Sequence, residues 1–133
     1  MSAILNTKRA LERRLSTLGY PTAYESSNFT APDTLYLRTQ FVINTPDDPV
    51  IGDRYYRERI IFQVFVADQL NKGTAGAITV AEQIRSLFDK GLVLNEGTTS
   101  IYVLGTPRIA GSLVTTERLV VPVSIEVLAE VFS

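Results

Sequence analysis

Carboxylates are the plausible acid and base groups in this sequence, because it contains neither histidine nor cysteine. That composition excludes a Ser-His-Asp triad, a cysteine nucleophile, and zinc sites built on imidazole or thiolate ligands. The isolated glutamates are scattered along the chain: Glu25, Glu82, Glu117 and Glu126. No two of them have the spacing that places a catalytic pair on one helical face. The residues therefore carry no catalytic signature, although a fold can bring distant carboxylates together.

One loop-like stretch, TPDDPVIGD over residues 45–53, concentrates Asp47, Asp48 and Asp53. A hard cation such as Ca²⁺ prefers oxygen ligands in a loop. However, the spacing is not that of an EF-hand, and Pro46 and Pro49 interrupt it. We interpret the stretch as a solvated acidic loop, and we predict no metal site and no cofactor.

A glycine-containing connection, LNKGTAGAI over residues 70–78, lies between a predicted strand and a predicted helix. Phosphate-binding loops occupy such positions, but Lys72 precedes the glycines, so the order is neither GxxxxGK[ST] nor GxGxxG. A helix N-terminus can still bind an anion weakly. We interpret this stretch as a simple connection.

Cations alternate with aromatic residues at Arg54, Tyr55, Tyr56, Arg57 and Arg59. Such a mixture can stack nucleic-acid bases, but tyrosine and arginine are also enriched at protein–protein contacts. The neighbouring acidic loop would repel phosphate, and the formal net charge is -1 with a pI near 5.4. We therefore favour a protein interface, then an ordinary strand surface, and nucleic acid last.

The chain length of 133 residues predicts one domain, 1–133. Hydrophobic residues make up 45% and charged residues 20%, which is typical of a globular chain and not of a disordered one. No apolar run reaches the roughly 18 residues of a membrane span, and early charges argue against a signal peptide. We therefore predict no membrane partner.

The hydrophobic periodicity predicts seven elements around a central strand-to-helix passage, 59–88. In chain order these are a helix over 2–18, strands over 22–26, 34–44 and 60–66, a helix over 74–90, and strands over 100–104 and 118–127. We predict an α+β fold, a mainly antiparallel sheet with two helices packed on one face. The other sheet face mixes Tyr, Arg, Gln and Ser with Val, which indicates a surface that becomes covered in an assembly.

Several local features sharpen these predictions. In the first helix, Ile4, Leu11, Leu15 and Leu18 form the apolar stripe, and Gly19 ends the helix. In the second helix the stripe is Ala77, Ala81, Ile84 and Phe88. Either Thr74 or Thr79 caps this helix, and Gly91 is its C′ residue. Pro122 lacks an N–H, so the last strand is either an edge strand or bulged at that point.

The order of these elements, with several short motifs, resembles the tail terminator-like proteins of long-tailed bacteriophages, the group that includes the lambda tail terminator. The motifs are the ALERRL of the first helix, the extended AYESSNFTAPDTLYLRTQF, the IIFQVFV strand, and the GTAG helix that ends in IRSLFDKG. They cover nearly the whole chain, and none of them is a catalytic signature.

The resemblance implies a small structural domain without enzymatic activity. It implies a homo-oligomer, a hexameric ring on the head-proximal end of the tail tube, that stops tube growth and binds the head-completion or neck protein. DNA would pass through the ring without sequence-specific binding. The protein would be made in the bacterial host cytoplasm and reside in the tail or neck of the virion.

Two alternatives stay open beside this reading. One is another neck component, such as a head–tail adaptor or tail-completion protein. The other is a carboxylate-based enzyme or ligand-binding module, which would need a concave pocket with convergent polar groups.

Position in the chain singles out a hairpin tip, 45–58, and a loop, 105–117, as candidate contacts along the tail axis. The candidate interface residues are Asp47, Asp48, Val50, Ile51, Arg54, Tyr55, Tyr56 and Arg57 in the first, and Pro107, Arg108 and Ile109 in the second.

Overall fold

The computed structural model describes residues 3–25, 27–44 and 55–132, and it describes the backbone alone at residues 55, 56, 131 and 132. The described helices and strands follow in chain order: α1 Ala3–Ser16, β1 Thr22–Ala23, β2 Tyr36–Ile43, β3 Tyr55–Gln69, α2 Ala75–Leu87, β4 Val93–Glu96, β5 Thr99–Val103, β6 Arg108–Ile109, β7 Leu113–Val114 and β8 Arg118–Phe132. Two helices and a mostly antiparallel, curled sheet confirm the predicted α+β fold.

The sheet is built around β3 and β8, which pair antiparallel along 15 residues, from Tyr55 opposite Phe132 to Gln69 opposite Arg118. The strand order is β1-β2-β3-β8-β5-β4, and β6 and β7 extend along β8 beyond β5. The predicted antiparallel pairing of β2 with β3 is confirmed. The short β1 pairs with β2 in parallel.

Pro122 lies in the interior of the sheet, so the prediction of an edge strand is wrong. The last strand is not bulged at Pro122 either, because its register with β3 is continuous; the extra residue of a bulge lies instead in the facing β6–β7 segment. Ile109 pairs with Val123 and Leu113 pairs with Val120, so three residues of the β6–β7 segment oppose two residues of β8. The carbonyl of Pro122 accepts from the N–H of Ala110 at 2.9 Å, which turns the proline ring nitrogen toward this bulge. No ladder hydrogen bond is lost there, because a bulge already interrupts the pairing.

The helix α1 packs on the sheet with a face that differs in part from the predicted stripe. Leu11 and Leu15 are fully buried as predicted, but Ile4 is only half-buried. The remaining buried positions are held by Ala3, Asn6, Thr7 and Ala10. Asn6 donates from Nδ2 to Oγ1 of Thr99 at 3.1 Å, and the Thr7 hydroxyl donates to the carbonyl of Ala3 at 2.7 Å. The helix ends at Ser16, two residues before the predicted end, and the chain passes through a turn to Gly19, whose φ is 81°.

The apolar stripe of α2 is confirmed, since Ala77, Ala81, Ile84 and Phe88 are all fully buried. Thr74 occupies the N-cap position, although its side chain makes no capping hydrogen bond.

The predicted C′ residue of α2 is wrong, because the helix ends three residues before the expected point. Phe88 is the C-cap residue, and its N–H donates the last helical hydrogen bond to the carbonyl of Ile84 at 3.1 Å. Gly91, with a φ of 88°, lies in the turn that follows. The burial of the Phe88 ring against Phe62, with ring centroids 5.7 Å apart, fixes the chain direction at this point.

A single core fills the space between both helices and one sheet face. In β3 the even-numbered residues Ile60, Phe62, Val64 and Val66 are almost completely buried. The odd-numbered residues between them are half-buried on the opposite face. In β2 the core-side residues become more exposed along the strand, from Leu37, which is fully buried, to Ile43, which is 49% exposed. The end of β2 therefore projects beyond the helices.

Candidate assembly surface

The sheet face that turns away from the helices carries a band of half-buried apolar residues, and we call it the open face. On β3 its central residues are Ile61, Gln63 and Phe65, which lie opposite Glu126, Ser124 and Pro122 of β8. Half-buried apolar residues on an uncovered sheet face are typical of surfaces that bind another protein.

Two arginine–aromatic stacks organise one end of the open face. The Arg38 guanidinium lies 4.9 Å from the centroid of Phe65, and the Arg118 guanidinium lies 5.0 Å from that of Tyr36. These four side chains line a hollow of about 300 Å³ together with the hairpin turn 115–117. The register of β2 against β3 sets Arg38 directly opposite Phe65.

The two arginines differ in how their N–H groups are used. Arg118 donates to the carbonyl of Thr34 at 2.7 Å and also to the carbonyl of Pro32, so it fastens the loop before β2. Arg38 is exposed, and no described residue accepts a hydrogen bond from it. A guanidinium that lies over an aromatic ring, and whose N–H groups bond to no described residue, is suited to a carboxylate on a partner.

A second hollow of about 300 Å³ lies near the other end of the open face. Its lining includes Ile61, Arg108, Ser124 and Glu126, so an apolar floor is again bordered by charged residues. Both hollows are shallow depressions of the sheet. Their composition fits contact with a protein surface better than enclosure of a small molecule.

The outer edge of β2 is occupied by a side chain where a neighbouring strand would otherwise lie. The N–H of Phe41 donates to Oε2 of Glu25 at 3.2 Å, and the Lys8 ammonium donates to Oε1 at 3.0 Å. The same ammonium lies 5.1 Å from the centroid of the Phe41 ring. We call Lys8, Glu25 and Phe41 the β2 clasp. Hydrogen bonds from Lys8 and then from the Phe41 N–H lower the pKa of Glu25 below its ordinary 4.5.

Replacing Glu25 with glutamine should remove a pH-dependent part of the stability. A carboxyl whose pKa falls on folding stabilises the fold above its unfolded pKa, and this stability is lost as the pH drops through the folded pKa. The wild type should exceed E25Q by at most about 1 kcal/mol at pH 7, since the Lys8–Glu25 pair is partly exposed to solvent. Urea denaturation of both proteins at pH 7 and pH 3 measures the difference.

Glu82, which lies exposed on α2, provides the control for that experiment. The difference in stability between the wild type and E82Q gives the baseline effect of removing one exposed carboxylate. A difference between wild type and E25Q that stays constant from pH 7 to pH 3 would contradict the role of the charge.

At the opposite end of the sheet, β4 forms an edge beside α1. Arg13 donates to Oε1 of Glu96 at 2.8 Å and to Oε2 at 3.3 Å, and this contact is the main reason that the pKa of Glu96 is lowered. Burial raises the pKa of Glu12, and the charge of Lys8 partly opposes that shift. Each of these shifts has a local structural cause that does not require catalysis.

The predicted interface residues fall into separate groups. Asp47, Asp48, Val50, Ile51 and Arg54 lie outside the described residues. Tyr55 and Tyr56 are the first two residues of β3, and their backbone pairs with the end of β8. Arg57 follows them, half-buried, opposite Glu130.

The second predicted group is also divided. Pro107 is buried, and its carbonyl accepts from Nε of Arg85 of α2 at 3.0 Å. Ile109 is half-buried and packs against the core, whereas Arg108 is exposed and borders the second hollow. The contacts that these residues make with partners stay predictions.

The sequence did not reveal the arginine stacks or the β2 clasp. Both depend on register: Arg38 meets Phe65 across a strand pair, and Glu25 reaches Phe41 because β1 pairs in parallel with β2. No local pattern encodes either pairing. Strand alternation predicts that Tyr36 and Arg38 share the face of β2 away from the core, but it does not identify the residues that they contact.

Within residues 3–25, 27–44 and 55–132, no group of three or more acidic side chains could hold a metal ion. Among the same residues, neither helix is long and apolar enough to cross a membrane. The connection before α2 contains Asn71 and Gly73, both at positive φ, and the Asp68 carboxylate lies beside Gly76 at the start of the helix. A carboxylate at this position makes the helix N-terminus unfavourable for a second anion.

Comparison with known proteins gives one family. A family model described as phage tail terminator protein matches residues 6–126. No curated protein matches the chain significantly. A solved structure is 26% identical to this chain, with 100% of this chain and 99% of that chain covered and a TM-score of 0.82. The chain is thus similar to that structure over its whole length.

Proposed function

Because the chain belongs to the family of phage tail terminator proteins, and is therefore a structural protein of a phage tail, we propose that it caps the head-proximal end of the tail tube as a ring. The ring, a hexamer, stops further addition of tube subunits. It then binds the head-completion or neck protein and so joins the tail to the head.

The family match over residues 6–126 is the observation that carries this proposal. Three features of the described structure support it. The open face presents apolar residues with a charged border, Arg38 offers unused N–H groups, and the sheet has an edge strand at each end. A contact between two different surfaces of the same chain generates a ring when the rotation closes.

The net charge of the chain supports the proposal that DNA passes through the ring without being bound tightly. The formal net charge is -1, whereas proteins that hold DNA tightly neutralise many phosphates with lysine and arginine. A ring of such subunits lets the DNA slide through its centre without sequence-specific binding.

Tail assembly with and without the protein tests the proposed function. Tube subunits of the same phage should form tubes of uncontrolled length when the protein is absent. Added protein should give tubes that carry a ring at one end and no longer grow, as seen by negative-stain electron microscopy. Tubes that continue to elongate at both ends in excess protein would overturn the proposal, as would a ring bound to the portal instead of the tube.

A further inference from the structure

Among the described residues, β1 covers only Leu37 and Arg38 of β2, so the rest of β2 forms one edge of the sheet and β4 forms the other. The pairs β2–β3, β3–β8, β8–β5 and β5–β4 are all antiparallel, so β4 is parallel to β2 after four reversals. A second copy placed beside the first without inversion therefore brings its β4 alongside β2 in a parallel orientation. That relation is the one required by a ring, in which every subunit has the same relation to the next.

The backbone groups that point outward also match. The N–H of Asn44 donates to the carbonyl of Arg59 at 2.9 Å, so the backbone N–H and C=O groups of the even-numbered residues of β2 bond to β3. The backbone groups of the odd-numbered Phe41 and Ile43 therefore point away from β3, toward the edge of the sheet. On β4, the N–H of Val103 donates to the carbonyl of Leu92 at 3.0 Å. By the same alternation, the backbone N–H and C=O groups of Val93 and Asn95 point away from β5, toward the other edge of the sheet.

We propose that the sheet continues from one copy to the next, with β4 of one subunit added in parallel to residues 40–43 of β2 in its neighbour. This inference rests on the ring of the proposed function and assigns the contact between its subunits. The N–H of Phe41 donates to the carbonyl of Val93 in the second copy, and the N–H of Asn95 in that copy donates to the carbonyl of Phe41.

This register keeps the helices of both copies on the same side of the continuous sheet. Phe41 lies opposite Leu94, and both side chains pack on the core side of their own sheets. Gln40 lies opposite Val93, and Val42 opposite Asn95, on the open face. The four residues of β4 cover residues 40–43, which are four of the five residues of β2 beyond its pairing with β1. Ile43 and Val93, which are 49% and 46% exposed, become covered.

The β2 clasp has a defined role in this contact. Glu25 satisfies the Phe41 N–H in the free subunit and so protects an edge that would otherwise bind strands indiscriminately. When β4 of the second copy arrives, its Val93 carbonyl replaces the Glu25 carboxylate. Glu25 keeps its ion pair with Lys8, so the exchange leaves no buried charge unpaired.

Engineered cysteines test the register directly, since the natural chain contains none. In the variant Q40C/V93C the two cysteines face each other across the contact on the open face, within the Cα separation of 4.4–6.8 Å that a disulfide needs. Mild oxidation of the purified protein should yield a ladder of linked species on non-reducing gels that ends at the ring number. A 1:1 mixture of the single variants Q40C and V93C should give linked dimers and nothing larger.

The off-register variant Q40C/N95C is the matched control, because a shift of two residues moves the cysteines about 7 Å further apart along the strand. Linking of this control in preference to Q40C/V93C would overturn the assigned register. Dimers formed by Q40C alone would overturn the head-to-tail contact, because they require β2 to meet β2. Absence of any linked species overturns the inference whether native mass spectrometry finds a ring or a monomer. The capping of tubes is measured separately, so the proposed function can survive that result.

Discussion

Replacement of Phe62 with alanine should lower the free energy of unfolding by about 3–5 kcal/mol. The Phe62 side chain is completely buried at the middle of β3. Its ring stacks on Phe41 with centroids 4.8 Å apart and meets Phe88 edge-on at 5.7 Å, so it joins the edge of the sheet to the end of α2. Removing this ring leaves a cavity between β2 and the end of α2, and neither element can move in to fill it without disturbing its other contacts. Urea denaturation followed by circular dichroism measures the loss.

Ile61 is the control for this experiment, because it is the adjacent residue of β3 and lies half-buried on the open face. The variant I61A should lose less than half as much stability as F62A. Domains of this kind are stable by roughly 5–15 kcal/mol, so F62A should retain a cooperative but much weaker transition. Equal losses for both variants would show that the core does not lie on the helix side of β3.

The elements with strong local periodicity could be predicted from the sequence. The stripe of α2 from Ala77 to Phe88 and the alternation of β8 from Leu119 to Val127 each repeat often enough to identify both the element and its buried face. The family resemblance also followed from the order of these elements and their motifs, and the family match confirms it.

The details that depend on tertiary packing could not be predicted in the same way. Ile4 was expected on the buried stripe of α1, but the buried face of this helix also includes Ala3, Asn6, Thr7 and Ala10, and Asn6 bonds to Thr99 of β5. Pro122 suggested an edge strand, yet the β6–β7 bulge accommodates it inside the sheet. In each case a neighbour distant in sequence decides the outcome.

The general character of the candidate assembly surface could be predicted from the sequence, but the contacts that organise it could not. A half-apolar open face followed from strand alternation, whereas the Arg38–Phe65 stack and the β2 clasp require the pairing register. The acidic residues Asp47 and Asp48, which position in the chain had favoured, lie outside the described residues. Contacts along the tail axis therefore stay predictions, and the described edges of the sheet are the basis of the subunit contact that we propose.

Replacement of Asn95 with proline should abolish the ring and leave the folded subunit intact. The N–H of Asn95 points away from β5, so proline removes no hydrogen bond within the subunit, and proline is tolerated on the outer side of an edge strand. In the proposed contact the same N–H donates to the Phe41 carbonyl of the neighbour. Loss of that hydrogen bond, together with the steric bulk of the proline side chain, should weaken each subunit contact by at least about tenfold.

The matched control is N95A, which keeps the backbone N–H and removes the side-chain amide that accepts from the Ser100 hydroxyl at 3.0 Å. Native mass spectrometry and thermal denaturation of the wild type, N95A and N95P separate assembly from folding. We expect N95A to form the same oligomer as the wild type, and N95P to be a monomer with a melting temperature close to that of N95A. Since a closed ring breaks when its contacts weaken together, even a modest loss per contact should change the observed mass completely. An N95P protein that assembles like N95A would show that the outward N–H of β4 takes no part in the subunit contact, and the continuous sheet would have to be abandoned.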